Sequence, residues 1–480
     1  MSTKAFELAK ESFAAVGVDV EAAIETLKNV PVAVHCWQGD DVRGFDQKSD
    51  GALTGGIQTT GNYPGRARNI EELQADIEKV ISLVPGSHRL SLHASYADFR
   101  QTGPVDRDQL EPKHFESWMQ WAEKNGMKLD FNSTSFSHPK SEDLTLASPN
   151  EEIRSFWVEH TKRCRAIADE MGRRQGDPAM LNIWVHDGSK DITVNRMKYR
   201  AILKQSLDEI LEQKYEWMRD SVESKVFGIG LESYTVGSND FYIAYAAQKG
   251  IMVTLDTGHF HPTESIADKM SSLLLFTPEV MLHVSRPVRW DSDHVTIIND
   301  ETLDLTKEIV RCDALGRTHI GLDYFDASIN RIACWAIGMR NARKAILNAC
   351  LALYSSEALL LVRDEKVSAA HSGDLRDYSV LPMDELLHTL EKNMEARFPG
   401  YQFERGYSDH AFTSGCWTFP AQKEDLLGTY AKTLSAKGQV KAANRMVPGI
   451  RFLTSDTGVA SAKVCAMIMG TQHPIHIGSC

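Results

Sequence analysis

IMVTLDTGHFHPTESIADKMSSLLLFTPEVMLHVSR, residues 251–286, is the stretch whose reading decides the fold. It begins and ends in short β-branched, apolar runs, IMVTLDTG (251–258) and EVMLHVSR (279–286), with a helix-length segment between them. A strand, a helix and a second strand of the same sheet form a parallel βαβ unit. Working outward, the same kind of run recurs at PVAVHCW (31–37), RLSLHASY (89–96), KLDFNSTS (128–135), MLNIWVHD (180–187), SVESKVF (221–227) and THIGLDYF (318–325). Helical patterns lie between the runs, for example over 71–84, 151–171 and 200–218, and another follows the last run over 329–354. Eight alternations predict an α/β fold, a closed (β/α)8 TIM barrel, with helices covering continuously apolar strands. An open doubly wound sheet would carry a glycine-rich phosphate loop after its first strand. Here that strand is followed by QGDDVRGF (38–45), which is no such loop.

The barrel pattern is complete by Tyr354, so residues 1–354 are expected to form the catalytic barrel with an amphipathic N-terminal helical extension over 1–27. Residues 355–480 read as an atypical C-terminal extension, partly helical at MDELLHTLEKNMEARF (383–398) and then turn-rich and aromatic. The chain of 480 residues carries 53 Lys and Arg against 65 Asp and Glu, a net charge of −12. That balance speaks against nucleic acid as a partner, since phosphate binding wants a basic face. No apolar run approaches the roughly 18–20 residues that span a bilayer, and the N-terminus has no signal-peptide core. A cytoplasmic location with reduced thiols is the expectation. The eight cysteines are scattered without a C-x-x-C pair, which argues against a structural zinc–cysteine site.

Active residues of such barrels lie at the C-terminal ends of strands and in the loops that follow. Those places carry His35 and Trp37, His93, Trp184 to Asp187, Asp256 and His259, His283, Asp291 and Asp293, and Asp323 and Asp326. Carboxylates and imidazoles converging without cysteine suit a divalent metal bound through oxygen and nitrogen. Several carboxylates so close do not all stay ionised without a cation. The fifth strand offers two acids, Glu223 and Glu232. Gly228-Ile-Gly230 reads as loop, so the strand is ended early; Glu223 and Lys225 then share one face, an acid ligand beside a cation that reaches a substrate oxygen.

At this point the residues resemble a known family. VHCWQGDDVRGF (34–45), GGIQTTGNYPG (55–65), LDFNSTSFSHP (129–139), NIWVHDGSKDIT (182–193), VESKVFGIGLESYTVGSN (222–239), LDTGHFHPTE (255–264), MLHVSRPVRWDSDHV (281–295) and HIGLDYFDASINRIACWAIGMRNARKA (319–345) are similar to bacterial L-rhamnose isomerases. The likeness is nearly collinear over residues 1–350. It implies a metal-dependent barrel related in architecture to xylose isomerase, cytoplasmic, activated by Mn2+ and usually a homotetramer, that interconverts L-rhamnose and L-rhamnulose in rhamnose catabolism. Carried over by motif, one ion is held by Glu223, Asp256, His283 and Asp323, and a second, catalytic ion by His259, Asp291 and Asp293. Zn2+ and Co2+ suit the same ligands. His93 contacts the open-chain sugar near its carbonyl, and Trp184 and Asp187 line the pocket. The E-x-K at Glu223 and Lys225 resembles the E-P-K of xylose isomerases.

The residues themselves suit that chemistry. Moving a carbonyl from C1 to C2 needs no redox cofactor, only polarisation of adjacent oxygens. Lys225 adds positive charge near the carbonyl oxygen, and Asp323 or Asp291 holds a water that carries the hydroxyl proton. Trp37, Phe131 and Trp184 suit the methyl end of a 6-deoxy sugar. Two other readings are weighed. One is a TIM-barrel metallohydrolase or phosphodiesterase, which predicts a basic groove. The other is a barrel protein inactivated by its altered C-terminus, because the resemblance fades after Tyr354.

Overall fold

The apolar runs do become strands. The computed structural model of the chain describes residues 4–15, 18–40, 42–46, 65–191, 193–224, 234–261, 263–287, 293–326, 329–361, 404–407 and 415–418. Among these lie β1 (Val32–His35), β2 (His88–His93), β3 (Lys128–Asn132) and β4 (Ala179–Trp184). They are followed by β5 (Met218–Glu223), β6 (Met252–Asp256), β7 (Val280–Val284) and β8 (Thr318–Leu322). The eight close into a barrel in chain order, with β8 pairing back onto β1. Every neighbouring pair is parallel. The expected (β/α)8 fold is the observed one.

The helices are α1 (Lys4–Ala14), α2 (Val20–Asn29), α3 (Ile70–Leu83), α4 (Glu116–Lys124) and α5 (Glu151–Gln175). Then come α6 (Arg196–Ile210), α7 (Asn239–Lys249), α8 (Ile266–Leu273), α9 (Asp300–Arg311) and α10 (Arg331–Leu361). Their starts are set by short polar side chains that accept from the first free backbone N–H groups. Asp19, Asn69, Asn150, Asn195, Ser238, Ser265 and Asn299 all do this. Gly176 and Gly250 end α5 and α7 at φ 64° and 66°, a left-handed conformation that costs glycine nothing.

Two boundaries differ from the sequence reading. The N-terminal helical pattern is two helices, because the Asp19 carboxylate accepts from the N–H groups of Glu21 and Ala22 and starts a new one. The helix expected over 200–218 ends at Ile210, and Met218 already belongs to β5. The Ala179 N–H donates to the Trp217 carbonyl at 3.0 Å, so the end of that segment is already tied to the sheet.

The chain divides into two units, Met1–Tyr354 and Ser355–Cys480. In the second, Glu404–Tyr407 and Gly415–Thr418 form an antiparallel ribbon. The helix expected over 383–398 lies outside the described residues.

Inside the barrel, side chains alternate with period two. Leu181, Ile183, Val222, Val253, Leu255 and Leu282 point out into the main core beneath the helices. Their neighbours point in. Met180, Met252 and Met281 form a separate apolar cluster near the strands' N-terminal ends. Above it lie Asn182, Ser221 and Thr254, and above them Glu223, Asp256 and His283. The interior thus runs from an apolar floor, through a hydroxyl-and-amide layer, to a titratable mouth.

Candidate metal centre and sugar pocket

Ending β5 at Glu223, β6 at Asp256, β7 just past His283 and β8 just before Asp323 puts four titratable side chains at one level. Glu223, Asp256, His283 and Asp323 each present a ligand atom, and these atoms lie within 4.8 Å of one another. The His283 Nδ1 is 3.1 Å from Glu223 Oε1 and 3.1 Å from Asp323 Oδ2. It is 3.9 Å from Asp256 Oδ2. The Asp256 Oδ2 atom is buried and accepts no hydrogen bond. Burial, together with the charges of Asp323 and Glu223, pushes the Asp256 carboxyl up to about 8 despite the opposing pull of His259 and His283. Burial alone would lower His283, but Glu223 and Asp323 outweigh it and hold the imidazole well above its ordinary value. Burial would likewise raise Asp323, but the His283 hydrogen bond and charge, with the Trp37 N–H, bring it down to about 2. Three carboxylates, one of them with an orphaned oxygen, around one imidazole fit a divalent cation.

The other expected residues divide. His259 sits in the turn after β6 with Nδ1 2.7 Å from the Ser224 carbonyl. The other ring nitrogen, Nε2, lies 4.0 Å from Asp256 Oδ2. Asp291 and Lys225 lie outside the described residues, as does Glu232; of Asp293 the backbone alone is described, pairing with Pro287 in a short ribbon.

His93 is at the end of β2, its Nδ1 3.0 Å from Thr134 Oγ1. Burial lowers its imidazole to about 3, so it is neutral at ordinary pH. Trp37 lies in the turn after β1 and donates its indole N–H to Asp323 Oδ1 at 2.9 Å. Its ring meets His93 edge-on at 4.7 Å. Phe136 continues this wall at 5.6 Å from His93, and Trp184 at 5.6 Å from Phe136.

Two expected pocket residues have other employment. Phe131 points out of the barrel, where its ring packs against Phe115 at 4.9 Å. Its neighbour Asn132 points inward, so alternation along β3 already assigned Phe131 to the helix side. Phe136, five residues on, takes the place expected of it. The Asp187 carboxylate accepts from Thr145 N–H, Thr145 O–H and Ala147 N–H, each at 2.7 Å. Both its oxygens are committed to the 145–147 turn, which makes it a loop anchor rather than a pocket wall.

A parallel barrel whose mouth holds a buried carboxylate–imidazole cluster beside an aromatic wall defines a class, the metal-site (β/α)8 barrels that work on small polar molecules. Within that class the chain belongs to the L-rhamnose isomerase (RhaA) family, whose model matches residues 1–383. It is therefore a sugar isomerase, and the hydrolase reading is set aside. It is 66% identical over 351 residues to an L-rhamnose isomerase of Bacteroides thetaiotaomicron, covering 73% of this chain and 84% of that one. It is 56% identical over 357 residues to one of Mannheimia succiniciproducens, covering 73% and 84%. Among solved structures, a xylose isomerase domain protein from Alicyclobacillus acidocaldarius aligns at 11% identity with a TM-score of 0.42, over 66% of this chain and 99% of that one. Among the described residues, no helix is long and apolar enough to cross a membrane.

Proposed function

We propose that the chain interconverts L-rhamnose and L-rhamnulose with a divalent ion, Mn2+, held by Glu223, Asp256, His283 and Asp323. The observation that carries this is the four-residue cluster with its orphaned Asp256 oxygen. When bound, the ion supplies positive charge that polarises the sugar's carbonyl and its adjacent hydroxyl. The chain's own groups do the rest. Before the ion binds, His283 and Asp323 fix each other's orientation, and Trp37 holds the second Asp323 oxygen. Neutral His93, pinned by Thr134, presents its Nε2 toward the sugar's carbonyl end. Lys225 adds a cation near that oxygen, and Asp323 or Asp291 steers the hydroxyl proton. His259, with Asp291 and Asp293, holds a second ion. Trp37, Phe136 and Trp184 exclude water from the methyl end. A cytoplasmic homotetramer belongs to the same reading.

The test is ketose formation from L-rhamnose by chelator-treated protein, with and without added Mn2+, beside Asp256→Asn. Restored turnover is expected in the parent. The variant should lose more than about 100-fold, beyond what loss of an outer-shell partner causes. Folded protein that turns over no L-rhamnose with any divalent ion would sink the proposal and favour the barrel inactivated by its C-terminus. A smaller effect is expected at the wall. Phe136→Ala should raise KM about tenfold with a lesser change in kcat, since the ring contacts the substrate body and not the reacting atoms. Phe131→Leu should leave KM unchanged, and equal effects of the two would contradict the assignment.

A further inference from the structure

The middle layer of the barrel is unusual for its position. Such layers are commonly filled by branched apolar side chains, yet here Asn182, Ser221 and Thr254 are each buried to 1% exposure or less. Buried polar groups contribute little net stability and cost more if unpaired. These three are paired in one direction. The Asn182 Nδ2 donates to Glu223 Oε2 at 2.5 Å. The Thr254 hydroxyl donates to Asn182 Oδ1 at 2.8 Å. Because that proton is spent, the Ser221 hydroxyl must donate to Thr254 Oγ1, 2.6 Å away. The chain of bonds fixes the amide, because a reversed Asn182 would set its oxygen against the carboxylate. It also occupies one Glu223 oxygen and leaves the other, Oε1, facing His283.

We infer that Asn182 is a positioning residue for the metal ligand Glu223, and that Thr254 and Ser221 hold Asn182 in its working orientation. The inference rests on the proposed ion site and extends it from the mouth into the layer beneath. Asn182 restricts Glu223 to one ligating oxygen and holds that oxygen at the centre of the cluster before the ion arrives. Residues that orient a ligand in this way typically govern metal affinity by 10–100-fold.

The experiment measures Mn2+ affinity of the full chain by calorimetry, and by the free-ion magnetic resonance signal, together with the melting temperature of the metal-free protein. Asn182→Leu keeps the branched shape and removes both hydrogen bonds. Its dissociation constant should rise by roughly 10–100-fold, while the metal-free melting temperature falls modestly, because Glu223 Oε2 and the Thr254 hydroxyl lose their partner. Thr254→Val, which keeps the shape and removes the hydroxyl, should raise the constant by a smaller factor, about 3–10-fold. Thr254→Ser, which restores the hydroxyl, should bring it back to within about twofold of the parent. A parent that binds Mn2+ tightly while Asn182→Leu binds it equally well would overturn the positioning role and leave the ion site standing. A parent that does not bind Mn2+ would remove the site itself, and the inference with it. If Asn182→Leu does not fold, the comparison of Thr254→Val with Thr254→Ser decides: equal affinities would refute the relay.

Discussion

The melting temperatures of the metal-free and Mn2+-loaded protein should draw apart as the pH is raised from about 6 to about 9. Loading the site near pH 7 should release between one and two protons per ion. The sign follows from the metal-free cluster. Asp256 is raised by burial and by its carboxylate neighbours to about 8. A carboxyl raised on folding gives stability that is complete below its ordinary range and is lost as the pH climbs through that raised value. His283 is raised by Glu223 and Asp323, so its contribution is complete below the ordinary histidine value and is lost above it. Both terms make the metal-free protein weaker as the solution becomes alkaline. In the loaded protein both groups are deprotonated ligands, and the loss disappears. The charge count is consistent. Two carboxylates, one imidazolium and one neutral carboxyl sum to −1, and three carboxylates, a neutral imidazole and a divalent cation also sum to −1. The ion takes the place of two protons. Apparent affinity should therefore climb about tenfold per pH unit for each proton released. Differential scanning of both forms, with proton release read by calorimetry in buffers of differing ionisation enthalpy, checks this. A gap between the two forms that stays flat or narrows as the pH rises would refute it.

How much of this was legible depends on the range over which each signal acts. Strand and helix order are local, and the alternation over 31–325 delivered the barrel. The four-residue cluster was legible for the same reason. In a barrel all strand ends share one face, so Glu223, Asp256, His283 and Asp323 need no tertiary information to be placed together once the strands are counted. The cap at Asp19 is equally local, but a single amphipathic pattern drawn over 1–27 runs across it and across the uncharged stretch 12–18 that precedes it. Phe131 and Asp187 were misassigned for a different reason. Proximity to a strand end says that a side chain is near the mouth, not which way it points. Period-two counting from Asn132 settles Phe131. Asp187 needs knowledge that the 145–147 turn, some 40 residues away in sequence, supplies three donors.

Asn182 shows the limit most clearly. On one strand it is an amide in an apolar run and reads as an imperfection of NIWVHD. Its meaning lies in partners on β5 and β6, 41 and 72 residues away. The same holds for the Trp37 indole, whose partner Asp323 is 286 residues on. Aromatic character was visible from the sequence; the hydrogen bond that ties it to the four-residue cluster was not.

The opposite end of the barrel carries the second large effect, and it is one of stability. Arg89 and Asp130 sit near the starts of β2 and β3 with side chains only 7% and 3% exposed. The guanidinium is bidentate on Asp130, with Nε 2.8 Å from Oδ2 and Nη2 2.7 Å from Oδ1. It also donates to Asp177 at 2.5 Å and to the Pro178 carbonyl at 2.9 Å. Asp130 Oδ1 in turn accepts the Met180 N–H at 2.8 Å, which joins β4 to the same network. Asp130→Ala takes from a buried guanidinium its bidentate partner, leaving the part-exposed Asp177 as its one carboxylate, and strands the Met180 N–H at once. Breaking one side of such a pair typically costs about 3–5 kcal/mol, far more than the intact pair contributes. Replacing both partners by apolar residues of similar size, as in Arg89→Met with Asp130→Leu, should recover most of that loss, because no charge is then left buried alone. His93 lies four positions beyond Arg89, about 13 Å along a strand, so turnover per folded molecule should stay at the parent value in both the single and the double variant. Denaturant titration of the metal-free chains, with kcat measured well below the transition, checks both halves. A loss under about 1 kcal/mol for Asp130→Ala would put the pair among weakly contributing surface bridges, and an altered kcat at full folding would show that the barrel floor reaches the metal centre after all.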